Sequence, residues 1–202
     1  AAQGGQVQLE GASLSSTLST VVNQTGTVRA NALEQVGGKI LLRAQGGDVQ
    51  QAGTVEANGQ GSQGQGGQVK LLGERVGLQA GSVTSASGDA QGGTVLVGGG
   101  YQGHGEVQNS SYTQADRGSV VDVSAGAQGK AGTAVLWSDG VTRAAGTIKA
   151  TGGLSGGQVE VSGKKLLNIK GLDLRNSKGG NLLLDPGDVT ICYLCTSTVT
   201  DD

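Results

Sequence analysis

The stretch Gly66-Gly67-Gln68-Val69-Lys70-Leu71 decides the fold. Two glycines introduce an alternation in which Val69 and Leu71 fall on one side of an extended strand and Gln68 and Lys70 on the other. The same hexad returns as Gly4-Gly5-Gln6-Val7-Gln8-Leu9, Gly37-Gly38-Lys39-Ile40-Leu41-Leu42 and Gly92-Gly93-Thr94-Val95-Leu96-Val97. It appears again as Gly156-Gly157-Gln158-Val159-Glu160-Val161 and Gly179-Gly180-Asn181-Leu182-Leu183-Leu184, with a degenerate copy at Ala131-Gly132-Thr133-Ala134-Val135-Leu136-Trp137. Starts at 4, 37, 66, 92, 131, 156 and 179 lie 33, 29, 26, 39, 25 and 23 residues apart. Periods of this size mark a solenoid.

A second motif runs out of phase with the first: Gly26-Thr27-Val28-Arg29-Ala30, Gly53-Thr54-Val55-Glu56-Ala57 and Gly146-Thr147-Ile148-Lys149-Ala150. Looser copies begin at Gly81, Gly118 and Gly171, and a third apolar pair lies between the motifs, as in Gly47-Asp48-Val49 and Arg75-Val76-Gly77-Leu78. Each period thus holds about three short strands, the content of one coil of a right-handed parallel β-helix. Val7 and Leu9, Val69 and Leu71, and Val159 and Val161 are expected inside, stacked in aliphatic ladders. Glycine is expected to supply the positive φ that corners demand. No segment sustains a 3.6-residue apolar period, so helix is disfavoured. Seven coils at about 4.8 Å each predict a stack on the order of 34 Å long.

Composition agrees. Of 202 residues forty are Gly and one is Pro, Phe and Met are absent, and aromatics reach only 2%. The core must therefore be built from Val, Leu, Ile and Ala, which suits a narrow interior. Apolar residues recur in short alternating runs and the net charge is only −2, against a flexible coil. Glycine does not fall at every third position, so collagen is excluded. Fourteen basic and sixteen acidic residues give no electrostatic case for nucleic acid. No apolar run approaches the roughly 20 residues of a membrane helix, and four aromatics cannot form the two belts of a membrane barrel. The chain opens within its repeat, at Ala1-Ala2-Gln3-Gly4-Gly5, and reads as a piece of something longer.

The whole chain, 1–202, reads as a single β-helix segment with a loop insertion near 98–117 and a cysteine-containing terminal segment, 185–202. The insertion gathers Tyr101, His104, Tyr112, Asp116 and Arg117, either as a solvated corner loop or as a binding loop, since solenoid insertions map to one face. Cys192-Tyr193-Leu194-Cys195 lacks the βαβ setting of a thioredoxin-like site, and with His104 far off it lacks the four ligands of zinc. In an exported protein an oxidised pair is the default. An extended strand holds Cα atoms at i and i+3 about 10 Å apart, beyond the roughly 7 Å limit for a bridge, so a strained hook, an intermolecular bridge and free thiols all stay open.

Gly98-Gly99-Gly100-Tyr101-Gln102-Gly103 matches the dinucleotide fingerprint but lacks the helix that must follow it. Cofactors are therefore expected to be none, and metal sites none. Asp116, Arg117, Asp122, Asp139 and Arg143 are the groups a polysaccharide-cleaving β-helix would use, and isolated charges at outward or turn positions read instead as solvated surface. The regular Asp of calcium-binding β-rolls is missing, and Thr198-Val199-Thr200 is a lone Thr-x-Thr. Asn23 and Asn109 begin Asn-x-Ser/Thr sequons, which read as chance occurrences.

From Gly92 onward the chain resembles the filamentous-haemagglutinin-like exoproteins of bacterial two-partner secretion. The resemblance rests on Gly99-Gly100-Tyr101-Gln102-Gly103, Val121-Asp122-Val123-Ser124-Ala125 and Val135-Leu136-Trp137-Ser138-Asp139, followed by residues 146–150, 157–164 and 182–191, the last reading Leu-Leu-Leu-Asp-Pro-Gly-Asp-Val-Thr-Ile. About half the chain matches closely and the upstream repeats loosely. It implies a secreted β-helix at the bacterial cell surface or in the extracellular matrix, exported through an outer-membrane transporter partner. It further implies a non-enzymatic stalk of an adhesin or biofilm matrix protein, facing a carbohydrate or protein receptor on a host surface or in the matrix. Stacking end to end into an extracellular filament is the alternative, with a polysaccharide-active enzyme behind it. The family's secretion domain carries Asn-Pro-Asn motifs, whereas the only proline here is Pro186, which implies a place beyond that domain.

Overall fold

The computed structural model describes residues 4–12, 20–33 and 36–186. Cys192, Cys195 and the Thr198-Val199-Thr200 stretch lie outside the described residues. The expected parallel β-helix is the observed fold: every strand pairing is parallel, and the chain visits three sheets in rotation. The first face stacks Gln6–Ala12, Lys39–Gln45, Gln68–Leu72, Thr94–Val97, Thr133–Ser138, Gln158–Gly163 and Asn181–Pro186. Six strands form the second face, from Thr20–Gln24 through Asp48–Gln51, Arg75–Leu78, Tyr112–Ala115 and Val141–Ala144 to Leu166–Asn168. The third runs from Thr27–Arg29 to Asp173–Asn176, also in six strands. The described residues therefore make six coils and a seventh first-face strand, one fewer complete coil than the hexad count suggests.

Register confirms which side chains face inward. Val7, Ile40, Val69, Val95, Ala134, Val159 and Leu182 stack in one column, and Leu9, Leu42, Leu71, Val97, Leu136, Val161 and Leu184 in the next. Both columns are fully buried from Leu42 to Val161 but open at the outermost rungs, where Leu9, Leu182 and Leu184 are exposed. On the second face the inner column changes chemistry, from Val22, Val49 and Val76 to Thr113 and Thr142. These two threonine hydroxyls are satisfied: Thr113 Oγ1 donates to the Trp137 carbonyl at 2.7 Å and Thr142 Oγ1 to that of Ser162 at 2.6 Å. Two inward glutamines are bonded through their amide Nε2. Gln24 and Gln51 each donate to the carbonyl two residues on, at 2.6 Å, closing the turn to the third face.

The Gly-Gly pairs are explained by contact rather than by φ. None of the pairs 37/38, 66/67, 92/93 or 156/157 has positive φ, and the positive-φ glycines instead include Gly81, Gly118 and Gly171, in the turns to the third face. A Cβ on Gly38, Gly67, Gly93, Gly132 or Gly157 would strike the carbonyl oxygen at the same corner one coil back, that of Gly5, Gly38, Gly67, Gly93 or Gly132. Those carbonyls also receive the first hydrogen bond of each new first-face strand, as in Gln68 N to Gly38 O at 3.0 Å and Thr94 N to Gly67 O at 2.9 Å. The second motif ends at this corner. Its final Ala accepts from the second glycine: Gly38 N to Ala30 O at 2.6 Å, Gly67 N to Ala57 O at 2.7 Å and Gly157 N to Ala150 O at 2.9 Å. The two sequence motifs are thus the two halves of one corner.

Val95, fully buried between Val69 and Ala134, sets the first test. Val95→Asp places a charge with no partner in an aliphatic column and should cost about 4 kcal/mol or more, abolishing the cooperative urea transition. A native-like transition would refute the register. Gly67→Ala should cost about 3 kcal/mol through overpacking. Gly26→Ala, at a site with open space and ordinary φ, should leave stability unchanged or raise it by about 0.5 kcal/mol.

Candidate functional site

Two surfaces depart from the plain coil. The first is a flap. Between Val97 and the strand beginning at Tyr112 the chain leaves the helix, and the ladder resumes in register at Tyr112, opposite Arg75 and Val141. The insertion is therefore shorter than the expected 98–117, spanning about 98–110. It folds over the outer side of the first face, across Thr133–Ser138 and Gln158–Gly163. On these two strands the outward residues Val135, Trp137, Glu160 and Ser162 are buried along with the inward ones. Gly99 and Gly103 lie against the Trp137 ring, where a Cβ would collide with it.

Polar bonds hold the flap down. Gln102, the one non-glycine residue with positive φ (54°) among the described residues, donates its backbone N–H to Glu160 Oε2 at 2.8 Å. Asn109 Nδ2 donates to the Gly103 carbonyl at 3.0 Å. Asp139 collects donors at the flap's edge: Lys164 Nζ at 2.7 Å, Trp137 Nε1 at 3.3 Å and Asn109 Nδ2 at 3.4 Å. The Lys164 ammonium also sits 5.6 Å from the centroid of the Trp137 ring. Burial alone would raise the Asp139 carboxyl, but the hydrogen bonds from Lys164 and Trp137, with the Lys164 charge, hold it below the ordinary carboxylate range. Glu160 moves the other way. Its burial raises the carboxyl above the usual glutamate value, only partly offset by the Gln102 N–H.

The second surface is a trough on the outer side of the second face. Its upper part, a groove of about 800 Å³, is lined by Asp48, Gln50, Arg75, Gln79, Tyr112 and Gln114 among others. Arg75 makes a forked pair with Asp48, Nη2 to Oδ2 at 2.6 Å and Nε to Oδ1 at 3.1 Å. The hydrogen bond and the charge of Asp48 raise the guanidinium above its ordinary value. Gly77 floors the groove, so Gln50 leans across it and accepts from Gln79 Nε2 at 3.3 Å. Tyr112 donates its hydroxyl to Gln114 Oε1, and Gln114 Nε2 donates to Asp116 Oδ1 at 2.5 Å. Gln114 and Asp116 also line the adjoining lower part, with Arg117, Arg143, Asn168 and Lys170.

The candidate binding loop is thus divided. Tyr101 and His104 belong to the flap on the first face, where they line a crevice with Lys70 and Leu96, while Tyr112, Asp116 and Arg117 belong to the second-face trough. The carboxylates considered for catalysis are dispersed. Asp122 is 3.9 Å from Lys149 on the third face, Asp139 is bound at the flap edge, and Asp116 is tied to Gln114. No group of three His, Cys, Asp or Glu residues suited to a metal occurs among the described residues. Within the fingerprint-like run the only regular element is a three-residue 3₁₀ turn, Tyr101–Gly103. Asn23 is exposed on its strand, whereas the Asn109 amide is engaged in the flap.

Glu160 gives the flap a pH signature. Because the folded carboxyl titrates above its unfolded value, the folded chain holds more protons between the two. The stability owed to the neutral form is therefore complete at low pH and falls as pH rises through the raised value. The melting temperature should fall across that window in the wild type and fall less in Glu160→Gln. Parallel melting profiles for the two would contradict burial of the carboxyl under the flap.

Neither a protein-family model nor a curated protein matches the chain. Among solved structures it is similar to the crystal structure of the HMW1 secretion domain from Haemophilus influenzae, with a TM-score of 0.74 and 29% identity. The match covers 91% of this chain and 46% of that one, so the chain spans about half the length of its structural neighbour.

Proposed function

We propose that this chain is a β-helical portion of a secreted exoprotein exported by two-partner secretion, serving as a rigid stalk in a surface adhesin or matrix protein. The likeness to the HMW1 secretion domain carries this reading, because it joins the same fold to 29% identity over nearly the whole chain. It supports an outer-membrane transporter as the partner in export. It also favours a place within a secretion domain over the place beyond it suggested by the missing Asn-Pro-Asn motifs. The rod geometry supports a mechanical role: three parallel sheets running the length of the stack resist bending, and each coil is stabilised by its neighbours.

Filament formation stays a second reading: among the described residues, Leu9, Leu182 and Leu184 are exposed on the first and last first-face strands. Strand edges of this kind are able to recruit another chain. Negative-stain microscopy over a concentration series separates the two. Discrete short rods at every concentration are the outcome expected of a stalk. Uniform filaments that lengthen with concentration would replace the stalk with a self-assembling fibre. Export is tested by co-expression with an outer-membrane transporter of this class, after fusing the chain to a signal sequence. Retention in the periplasm with the transporter present would contradict it.

A further inference from the structure

The flap over the first face has its ends pinned and its tip held by one bond. Ser110 N–H donates to the Gly98 carbonyl at 2.6 Å, and Gly98 N–H donates to that of Leu71 on the preceding coil at 2.9 Å. Among the described residues, 99–108 make a single hydrogen bond to the coil, from Gln102 N–H to Glu160 Oε2 at 2.8 Å. Their other bonds stay inside the flap, from Gly103 N to Gly100 O, His104 N to Tyr101 O and Asn109 Nδ2 to Gly103 O. Packing adds little to the tie. None of residues 101–109 is buried, and the flap meets the Trp137 ring through Gly99 and Gly103, which have no side chain to give. The tie itself is made from Gln102 at φ 54°, a left-handed conformation that is costly for a residue with a Cβ. Few buried contacts and one strained tie are the marks of a segment that opens locally.

The partner of that tie is ionisable. Glu160 is 0% exposed, and its Oε1 is buried without a hydrogen-bond partner. An ionised carboxylate held so has lost the water on that oxygen and gained nothing in its place. Burial accordingly raises the carboxyl in the closed form, and the Gln102 N–H and the Ser162 hydroxyl offset only part of the effect. Two other charges act on it: Asp185, on the next first-face strand, raises it, and His104, on the flap, lowers it. The preceding strand, Thr133–Ser138, carries no ionisable side chain, and Glu160 is the one such group on Gln158–Gly163. The flap also carries Tyr101 and Glu106, both exposed. Asp139, at the flap's edge, is held below the ordinary carboxylate range and stays ionised while Glu160 titrates.

We infer that the flap is a proton-controlled lid, shut over Trp137 while Glu160 is protonated and opened when that carboxyl ionises. The closed form holds the proton more tightly than the open one, so protonation favours closure and rising pH favours opening. Opening returns the carboxylate to water and frees Gln102 from its left-handed conformation. It uncovers Val135, Trp137 and Ser162 beside the half-buried Leu96, turning a covered strip of the first face into an open, largely apolar patch. The coil beneath keeps its shape, because the ladder from Thr94–Val97 through Thr133–Ser138 to Gln158–Gly163 is made without the flap. The inference rests on the flap's own contacts and is independent of how the chain is exported and of the stalk reading.

Trp137 is the only tryptophan in the chain, so its fluorescence reports the lid. Acrylamide quenching of the full chain is followed from about pH 4 to about pH 8, the span in which a raised glutamate titrates. Quenching should rise severalfold across it while the β-sheet circular dichroism stays constant. Glu160→Gln keeps an acceptor for the Gln102 N–H but cannot ionise, and its quenching should stay at the low wild-type acid level throughout. Asp185→Asn should move the wild-type transition to lower pH and His104→Gln to higher pH, opposite shifts that a purely structural role of either residue would not produce. Wild-type quenching that does not change with pH would overturn the inference, as would an equal rise in Glu160→Gln. Should Glu160→Gln not fold, the two shifts decide, and a transition unmoved in both variants overturns the lid. Loss of the β-sheet signal in step with quenching would make the event global unfolding and overturn it equally.

Discussion

The structure depends on how closely two coils approach at the corner between the third and first faces. There Gly38, Gly67, Gly93, Gly132 and Gly157 each sit against the carbonyl oxygen of the counterpart one coil back, at a separation no Cβ tolerates. That carbonyl receives the first ladder hydrogen bond of the next strand, while the glycine's own N–H closes the corner on the end of the third-face segment, at Ala30, Ala57, Ala86, Val123 and Ala150. Contact and hydrogen bonding thus fix the register at one point in each of the five coil-to-coil steps from Gly5 to Gly157. A slip of one residue would put a side chain where only hydrogen fits and would turn the aliphatic column outward. The alternating strands then place Val69, Val95 and Val159 in one interior line without further specification.

This constraint explains why the fold was legible from residues alone. The Gly-Gly hexad and the Gly-Thr-Val-x-Ala motif mark the two sides of the corner, and their alternation sets the inward columns that the structure shows. Positive φ, expected of the corner glycines, covers only part of them. Positive φ accounts for Gly81, Gly118 and Gly171, but the internal pairs are needed for room. The interior hydroxyls were also illegible. Thr113 and Thr142 replace valine at inward positions, and the carbonyls of Trp137 and Ser162, with the hydroxyls of Ser110 and Ser138, make that replacement tolerable.

The surfaces were harder to read, because a loop's destination is not written in its own sequence. The 98–117 stretch gathers Tyr101, His104, Tyr112, Asp116 and Arg117, but its sequence does not say which strands the loop covers. One signal was available in the covered strand. Trp137 stands out of phase with the inward Ala134 and Leu136, and a large aromatic at an outward position, in a chain that is 2% aromatic, calls for a cover. Glu160 gave no such signal, since an outward glutamate on a strand normally meets water. Its burial follows from the flap spanning two coils. The trough was hidden for a related reason: Arg143 and Lys170 lie 27 residues apart in sequence and meet only because the coil period brings them to adjacent rungs.

A solenoid of this kind separates the work of folding from the work of recognition more cleanly than a compact domain does. The corner and the inward columns use Gly, Ala, Val and Leu, and nearly every outward position is free to vary without disturbing them. The first face spends that freedom on a flap, which buries Trp137 and shields two strands. The second face leaves its outward columns open, so that side chains distant in sequence form continuous lines at the coil spacing. The chemistry of the open face then varies one rung at a time, as the step from Gly77 to Gln114 to Arg143 shows, while the corner that holds the coils stays the same.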